Sequence, residues 1–356
     1  MTTRRQFIKE SAGAAAGIVF TGCGVLGSAP VRAQPAAKRR EVVVAGKRVK
    51  TIDVHAHCIV PEAAAIMGVK IDPAMLDMAR DRTAIMDAQG IDMEALSINP
   101  TWYRLDRDRA AQVVKIQNEK LVEYCASKPD RFVAFCSLAL QFPDLAVQQL
   151  EQAVKKMGFR GAAIGGSVAD DEFANQKFYP VWAKAEELGV LLFIHPLGVP
   201  ELNRRLKGNG VLENVIGNPL DTTIALSQLI FQGTLDRFPG LKVCAAHGGG
   251  YIASYADRSD HGCLTFPERC DPNIKLKKQP TEYLKQLYFD SLIFGDEALR
   301  HLAAQVGVNQ IVLGTDYPFP WQDKSVDHIL NASGFTDAQK AAMLGATAAK
   351  LLGINL

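Results

Sequence analysis

The sequence predicts an α/β protein: a single barrel of eight parallel strands alternating with helices, preceded by an export signal. Three observations carry that expectation. Eight short apolar runs follow one another from Thr51 to Asp316. The stretches between them have the spacing of amphipathic helices, and several end in glycine. About 300 residues remain after the N-terminal segment, the size of eight β–α units.

The strand candidates are TIDVH (51–55), EALSI (94–98), RFVAFCSL (131–138), GAAIG (161–165), VLLFIH (190–195), LKVCAAH (241–247), LYFDS (287–291) and QIVLGTD (310–316). Runs that are apolar throughout fit a parallel sheet covered on both faces. The helix candidates include ARDRTAIMDAQG, LAVQQLEQAVKKMG, VWAKAEELG and TIALSQLIFQGTLDRFPG. A glycine at the end of such a segment suits a helix C-cap. An open, doubly wound sheet is the alternative, and the absence of GxGxxG after the first strand weighs against it. Two connections are long, 197–220 and 259–281. Long loops at the functional end of a barrel build the site, a lid or a subunit interface.

The N-terminus does not read as fold. TTRRQFIKE carries a twin arginine, Arg4 and Arg5, and a weakly apolar run, SAGAAAGIVFTGCGVLGSAP, follows before VRAQPAA. This is the order of a basic region, an apolar region and a small-residue cleavage zone, and it resembles a twin-arginine export signal. Residues 1–33 are read as the signal, 34–48 as a linker and 49–356 as the barrel, in the periplasm. FTGC, ending at Cys23, also resembles a lipoprotein box, but Phe20 is unusual at its first position. A disordered basic N-terminus is the bland alternative. The apolar region is short and glycine-rich, which argues against a permanent membrane span.

The chain has 356 residues, 48% hydrophobic and 22% charged, with a formal net charge of +2. No basic stripe stands out, so nucleic acid is a poor partner. The expected partners are a small-molecule substrate and a second copy of the chain, with no membrane once the signal is removed. Of the seven cysteines, Cys58, Cys125, Cys136 and Cys244 sit in apolar settings and read as buried thiols. Cys263 and Cys270 lie in a polar stretch, either as a disulfide in an oxidising compartment or as free thiols. No CxxC pair suggests a cysteine-ligated zinc.

Chemistry concentrates at strand ends. Side chains alternate along a strand, so His55 and His57 share a face, inward at a barrel mouth. His195 closes the fifth run, His247 the sixth and Asp316 the eighth. Any one of them alone is an ordinary strand-end residue. At the C-terminal mouth of a barrel the five converge, and clustered imidazoles with a carboxylate make a metal site.

HxH on the first strand, HP on the fifth, HGGG on the sixth and GTDYPF on the eighth resemble the amidohydrolase superfamily. NPLDTTIALSQLIFQGTLDRFPGLKVCAAHGGG, PDRFVAFCSLALQFPDLAVQQLEQAV and YFDS narrow the resemblance to its α-amino-β-carboxymuconate-ε-semialdehyde decarboxylase branch, over residues 50 to 355. The resemblance implies one divalent metal, zinc with manganese as the other option, held by His55, His57, His195 and Asp316. It also implies that His247 is the catalytic acid/base, with Asp316 able to pass a proton. One departure stands out. The branch has a longer segment after HxH, with an arginine that grips a substrate carboxylate. Here the segment is short, and Arg104, in NPTWYRLDRD, is the candidate substitute, with a surface arginine as its bland reading. Trp102 and Tyr103 either line the pocket or pack a loop. The function expected is decarboxylation of an aromatic or muconate-type carboxylic acid. The alternative is hydrolysis of a lactone or amide by the same ion and an activated water, which suits export better. A non-enzymatic metal binder is a third class, and His247, surplus to coordination, argues against it.

Overall fold

The computed structural model describes residues 39–71, 82–208, 210–319, 321 and 324–356. The signal expected at 1–33 lies outside them. Within the segment expected as a linker, Val43–Val44 pairs antiparallel with Lys47–Arg48. Ala45 and Gly46 turn the hairpin with φ of 50° and 75°, the backbone that suits a two-residue hairpin. Val42 and Val44 are buried, and Arg39 and Arg48 both pair with Asp92. The folded body therefore begins before residue 49. A hairpin with two-residue strands carries too little alternation to be read from sequence.

All eight strand candidates form strands: β1 (Ile52–His57), β2 (Met93–Ser97), β3 (Phe132–Ala134), β4 (Gly161–Ile164), β5 (Leu191–Ile194), β6 (Lys242–Ala245), β7 (Tyr288–Asp290) and β8 (Ile311–Val312). They pair in parallel in chain order, β1 to β3 and β4 to β8. Both seams are bonded. Between β3 and β4, Cys136 N donates to Gly161 O (2.9 Å) and Ala163 N to Cys136 O (3.0 Å). Between β8 and β1, Val54 N donates to Leu313 O (2.9 Å) and His57 N to Tyr317 O (2.7 Å). The strands close on themselves as the eight-unit pattern predicts, so the open sheet is excluded.

The glycine caps behave as expected. Thr83–Gln89, Pro143–Met157 and Tyr179–Leu188 end at Gly90, Gly158 and Gly189, each left-handed. One apolar cluster fills the space between strands and helices. A second joins Ile52, Val54, Phe193 and Val312 to Leu351 and Leu352 of the last helix, Thr347–Leu352. The connection after 259 is not all loop: the helix Ala256–Thr265 runs into it, and a disulfide joins Cys263 to Cys270. Cys58, Cys136 and Cys244 are buried as expected, while Cys125 is half-buried. No helix among the described residues is long and apolar enough to cross a membrane.

Candidate metal centre

The five residues singled out at strand ends do converge. His55 and His57 leave β1 on one face, and their Nε2 atoms lie 2.9 Å apart. Asp316 Oδ1 lies 3.0 Å from His55 Nε2, 2.9 Å from His57 Nε2 and 3.8 Å from His195 Nε2. Its Oδ2 is 3.4 Å from His247 Nε2. The ligand atoms of His55, His195, His247 and Asp316 all fall within 4.8 Å of one another. All five are buried except His247, which is half-buried.

Two of them sit in a costly backbone conformation. His247 and Asp316 have φ of 55° and 59°. Left-handed backbone in a residue other than glycine persists where its surroundings over-determine it. After His247 the chain needs glycine outright. Gly250 has φ of 68°, and a Cβ there would meet Pro219 O at 2.0 Å.

Neighbours fix three of the four imidazoles. His55 Nδ1 faces Asp290 Oδ2 at 2.5 Å. Ser97 Oγ donates to Ala56 O (3.2 Å), which leaves it to accept from His57 Nδ1 at 3.0 Å. His195 Nδ1 faces Pro196 O at 3.0 Å. With an acceptor at Nδ1 of these three rings, the neutral forms carry the proton there and point their Nε2 lone pairs at the centre; His247 Nδ1 has no such partner. Bare lone pairs 2.9 Å apart repel unless a cation lies among them. His195 Nε2 and Asp316 Oδ1 are also buried without a hydrogen-bond partner. The donor set of imidazoles and one carboxylate therefore fits a divalent ion.

The electrostatics point the same way. Burial drives the His57 pKa down to about 4, and burial lowers that of His195 well below its ordinary value. Burial also opposes charge on His55, but Asp316 and Asp290 outweigh it and raise His55 to about 10. Asp316 keeps its charge: burial is overcome by the imidazoles, which hold its carboxyl well below the usual range. Without an ion the positive charge thus falls on His55, between Asp316 and Asp290, while His57 and His195 are held neutral.

The three residues after β2 do not join this centre. Trp102 is buried with Nε1 donating to Leu138 O at 2.8 Å, the packing alternative of its two readings. Arg104 is 68% exposed and forks onto Asp170, so it reads as the surface arginine. Tyr103 is buried and its hydroxyl accepts from Gly165 N at 3.4 Å. It lines a separate cavity of about 380 Å³ with Arg104, Leu197 and Asp221.

The cavity that reaches the centre is another one. It measures about 420 Å³ and is mostly apolar, with His247 in its wall beside Val215, Leu292, Ile293, Phe294 and Trp321. Sequence reasoning missed these walls. It also missed Asp290, although Asp290 closes the seventh run as Asp316 closes the eighth. Asp53 was missed as well. It shares the inward face with His55, accepts from His55 N (2.9 Å) and bonds Thr315 Oγ1 (2.6 Å), tying β1 to the end of β8.

The fold and this donor cluster define a barrel protein with a metal-binding centre at the C-terminal ends of its strands. The chain belongs to the amidohydrolase family, whose model matches residues 52–354. It is 29% identical over 273 residues to a 2-amino-3-carboxymuconate-6-semialdehyde decarboxylase of Dictyostelium discoideum, covering 76% of this chain and 75% of that one. It is 28% identical over 293 residues to a gamma-resorcylate decarboxylase of Rhizobium radiobacter, covering 78% and 88%. The structure of a dihydroxybenzoic acid decarboxylase from a Polaromonas species, with bound manganese and the inhibitor 2-nitroresorcinol, superposes with a TM-score of 0.75. That structure is 25% identical, with 86% of this chain and 97% of that one covered.

Proposed function

We propose that this protein is a metal-dependent carboxy-lyase that releases CO₂ from an aromatic or muconate-type carboxylic acid. The observation that carries the reading is the convergence of three imidazole Nε2 atoms and the Asp316 carboxylate beside His247, which stands in the wall of a mostly apolar cavity of about 420 Å³. The named decarboxylases above support the reaction class. His55, His57, His195 and Asp316 would hold the ion, and His247 would carry the proton. The division rests on surroundings: His57 is buried with Nδ1 committed to Ser97, whereas His247 opens onto the cavity. A divalent ion, when bound there, would supply Lewis-acid polarisation of a substrate oxygen.

The chain's own groups do the rest. Phe294 and Trp321, with ring centroids 6.1 Å apart, form an aromatic wall for the ring. A proton shared between His247 Nε2 and Asp316 Oδ2 is delivered to the carbon that bears the carboxylate. The pair of the breaking C–C bond then returns to the ring, and CO₂ leaves. The ion is proposed as zinc, with manganese, carried by the Polaromonas relative, as the other candidate.

We also propose that residues 1–33 direct twin-arginine export to the periplasm. The Cys263–Cys270 disulfide supports this, since disulfides persist in oxidising compartments. A fusion of residues 1–40 to a folded reporter should be exported, and Arg4→Lys with Arg5→Lys should stop it.

The test of the activity is a screen of ion-loaded protein against dihydroxybenzoates, carboxymuconate-type acids and lactones. CO₂ release from a carboxylic acid is the expected result. Acid release from a lactone with no CO₂ from any acid would replace the reading with hydrolysis.

A further inference from the structure

Asp290 is fully buried at the end of β7, and beyond its contact with His55 none of the roles above uses it. Its two oxygens serve different parts of the site. Oδ2 takes His55 Nδ1 at 2.5 Å. Oδ1 accepts from Gly248 N at 2.9 Å and from Leu292 N at 3.1 Å. Gly248 follows His247 directly, and its own φ of 62° leaves a Cβ only 2.6 Å from Ile293 Cγ2. Leu292 and Ile293 belong to the cavity wall. One carboxylate thus touches an ion ligand, the turn that carries the proton donor, and the wall that receives the substrate.

We propose that Asp290 is a positioning residue that sets the tautomer of His55 and the pose of His247 through one carboxylate. The His247 half rests on the proton-carrying role proposed above; the His55 half does not. With Oδ2 as acceptor, His55 keeps its proton on Nδ1 and offers Nε2 to the centre. With Oδ1 anchoring Gly248 N, the strained turn at His247 has a fixed point on a neighbouring strand.

The two oxygens can be separated. In Asp290→Asn, Oδ1 still accepts from Gly248 and Leu292, but an NH₂ faces His55 Nδ1. His55 must then move its proton to Nε2, which spoils it as a ligand. In Asp290→Ala both functions go. Ion affinity, measured by chelator competition, should fall about 10–100-fold in both variants. At saturating ion, kcat of Asp290→Asn should return to within a few-fold of the parent. That of Asp290→Ala should stay depressed on the order of 10²-fold, the low end of what a positioned acid/base supplies.

Imidazole ¹⁵N shifts of His55 in the ion-loaded protein should report Nδ1–H with a ligated Nε2 in the parent, and Asp290→Asn at the same ion concentration should show Nε2–H with the ligation lost, a change that a general loss of packing would not produce. Asp290→Ser, with too short a reach for either partner, replaces alanine if that variant does not fold. Unchanged ion affinity and an unchanged His55 tautomer in Asp290→Asn would overturn the His55 half. Equal kcat for the asparagine and alanine variants at saturating ion would overturn the His247 half. Affinity and tautomer are read without substrate, so a failure of the decarboxylase reading leaves the His55 test standing.

Discussion

His55 and His57 meet at Nε2, 2.9 Å apart, with Asp316 Oδ1 within 3.0 Å of both. Each ring has an acceptor at Nδ1, so with both rings neutral the contact is between lone pairs, an arrangement that a bound cation relieves. Purified mature protein should carry about one divalent ion per chain. Elemental analysis checks the stoichiometry and distinguishes zinc from manganese. A chelator should remove both the ion and the activity, and it should lower the melting temperature, because the ion binds the folded chain preferentially. Full activity in ion-free protein would exclude the centre as the site of chemistry.

Division of labour follows from burial. His57→Ala should lower ion content and activity together. His247→Ala should keep most of the ion and lose about 10²–10⁴-fold in kcat. Loss of the ion as complete as in His57→Ala would make His247 a ligand, and His55, His195, His247 and Asp316 would then be the binding set.

The strands and the five convergent residues were legible because strand ends carry their own punctuation. HxH, HP, HGGG and GTD each follow an apolar run, and parallel topology brings such ends together. Asp290 was equally placed but stands in no histidine motif, so only its contact with His55 reveals its role. Arg104 carried two readings, and the structure gives a physical reason for the surface one. Its position after β2 was right for the rim, but Asp170, distant in sequence, satisfies its guanidinium. Trp102 turned inward because Leu138 O gave its indole N–H a partner in the core. The cavity walls, Phe294 and Trp321, come from segments after different strands, and no local pattern joins them.

Arg82 holds the centre from behind. It is buried, its Nε lies 2.7 Å from Glu94 Oε2, and Nη1 donates to His57 O at 2.8 Å. Its guanidinium also sits 4.3 Å from the centroid of Tyr317, the residue after Asp316. Arg82→Met strands the Glu94 charge, and breaking such a pair costs about 3–5 kcal/mol. Denaturant unfolding should show that loss, with weaker ion retention. Arg82→Met with Glu94→Leu should recover much of the stability but not the ion affinity. Recovery of both would reduce Arg82 to a packing residue.

Asp221 predicts a pH dependence. It is buried, and its Oδ2 accepts from Leu197 N (2.7 Å) and Gly198 N (3.2 Å), which fixes the loop after His195. Burial is the main cause that raises its pKa from 3.8 to about 6, against the two backbone bonds. A carboxyl raised on folding binds its proton more tightly in the native state. Its contribution is therefore fully present below pH 3.8 and is lost as the pH rises through about 6. Two units correspond to about 3 kcal/mol at most. Asp221→Asn keeps an acceptor for Leu197 N and cannot ionise. The parent-minus-variant stability difference should fall by up to that amount between pH 4 and 6. A flat difference across the window would mean that Asp221 titrates normally.

The substrate wall is open to a direct comparison of two aromatic and one cationic candidates. Phe294 and Trp321 are 63% and 40% exposed, yet they line the cavity that contains His247. Apolar rings left in water at the mouth of a site gain free energy when a substrate ring covers them, about 1 kcal/mol or more per aromatic contact. Trp321→Ala should raise KM for an aromatic acid by roughly tenfold with kcat and ion content little changed, the pattern of lost uniform binding. Phe294→Ala should act in the same direction. Arg104→Met should change neither constant, because Asp170 already takes its guanidinium on the surface. Steady-state kinetics of the three variants with one substrate decide the matter. A raised KM in Arg104→Met alone would move the substrate to the cavity beside Tyr103 and return the arginine to the role that the sequence suggested.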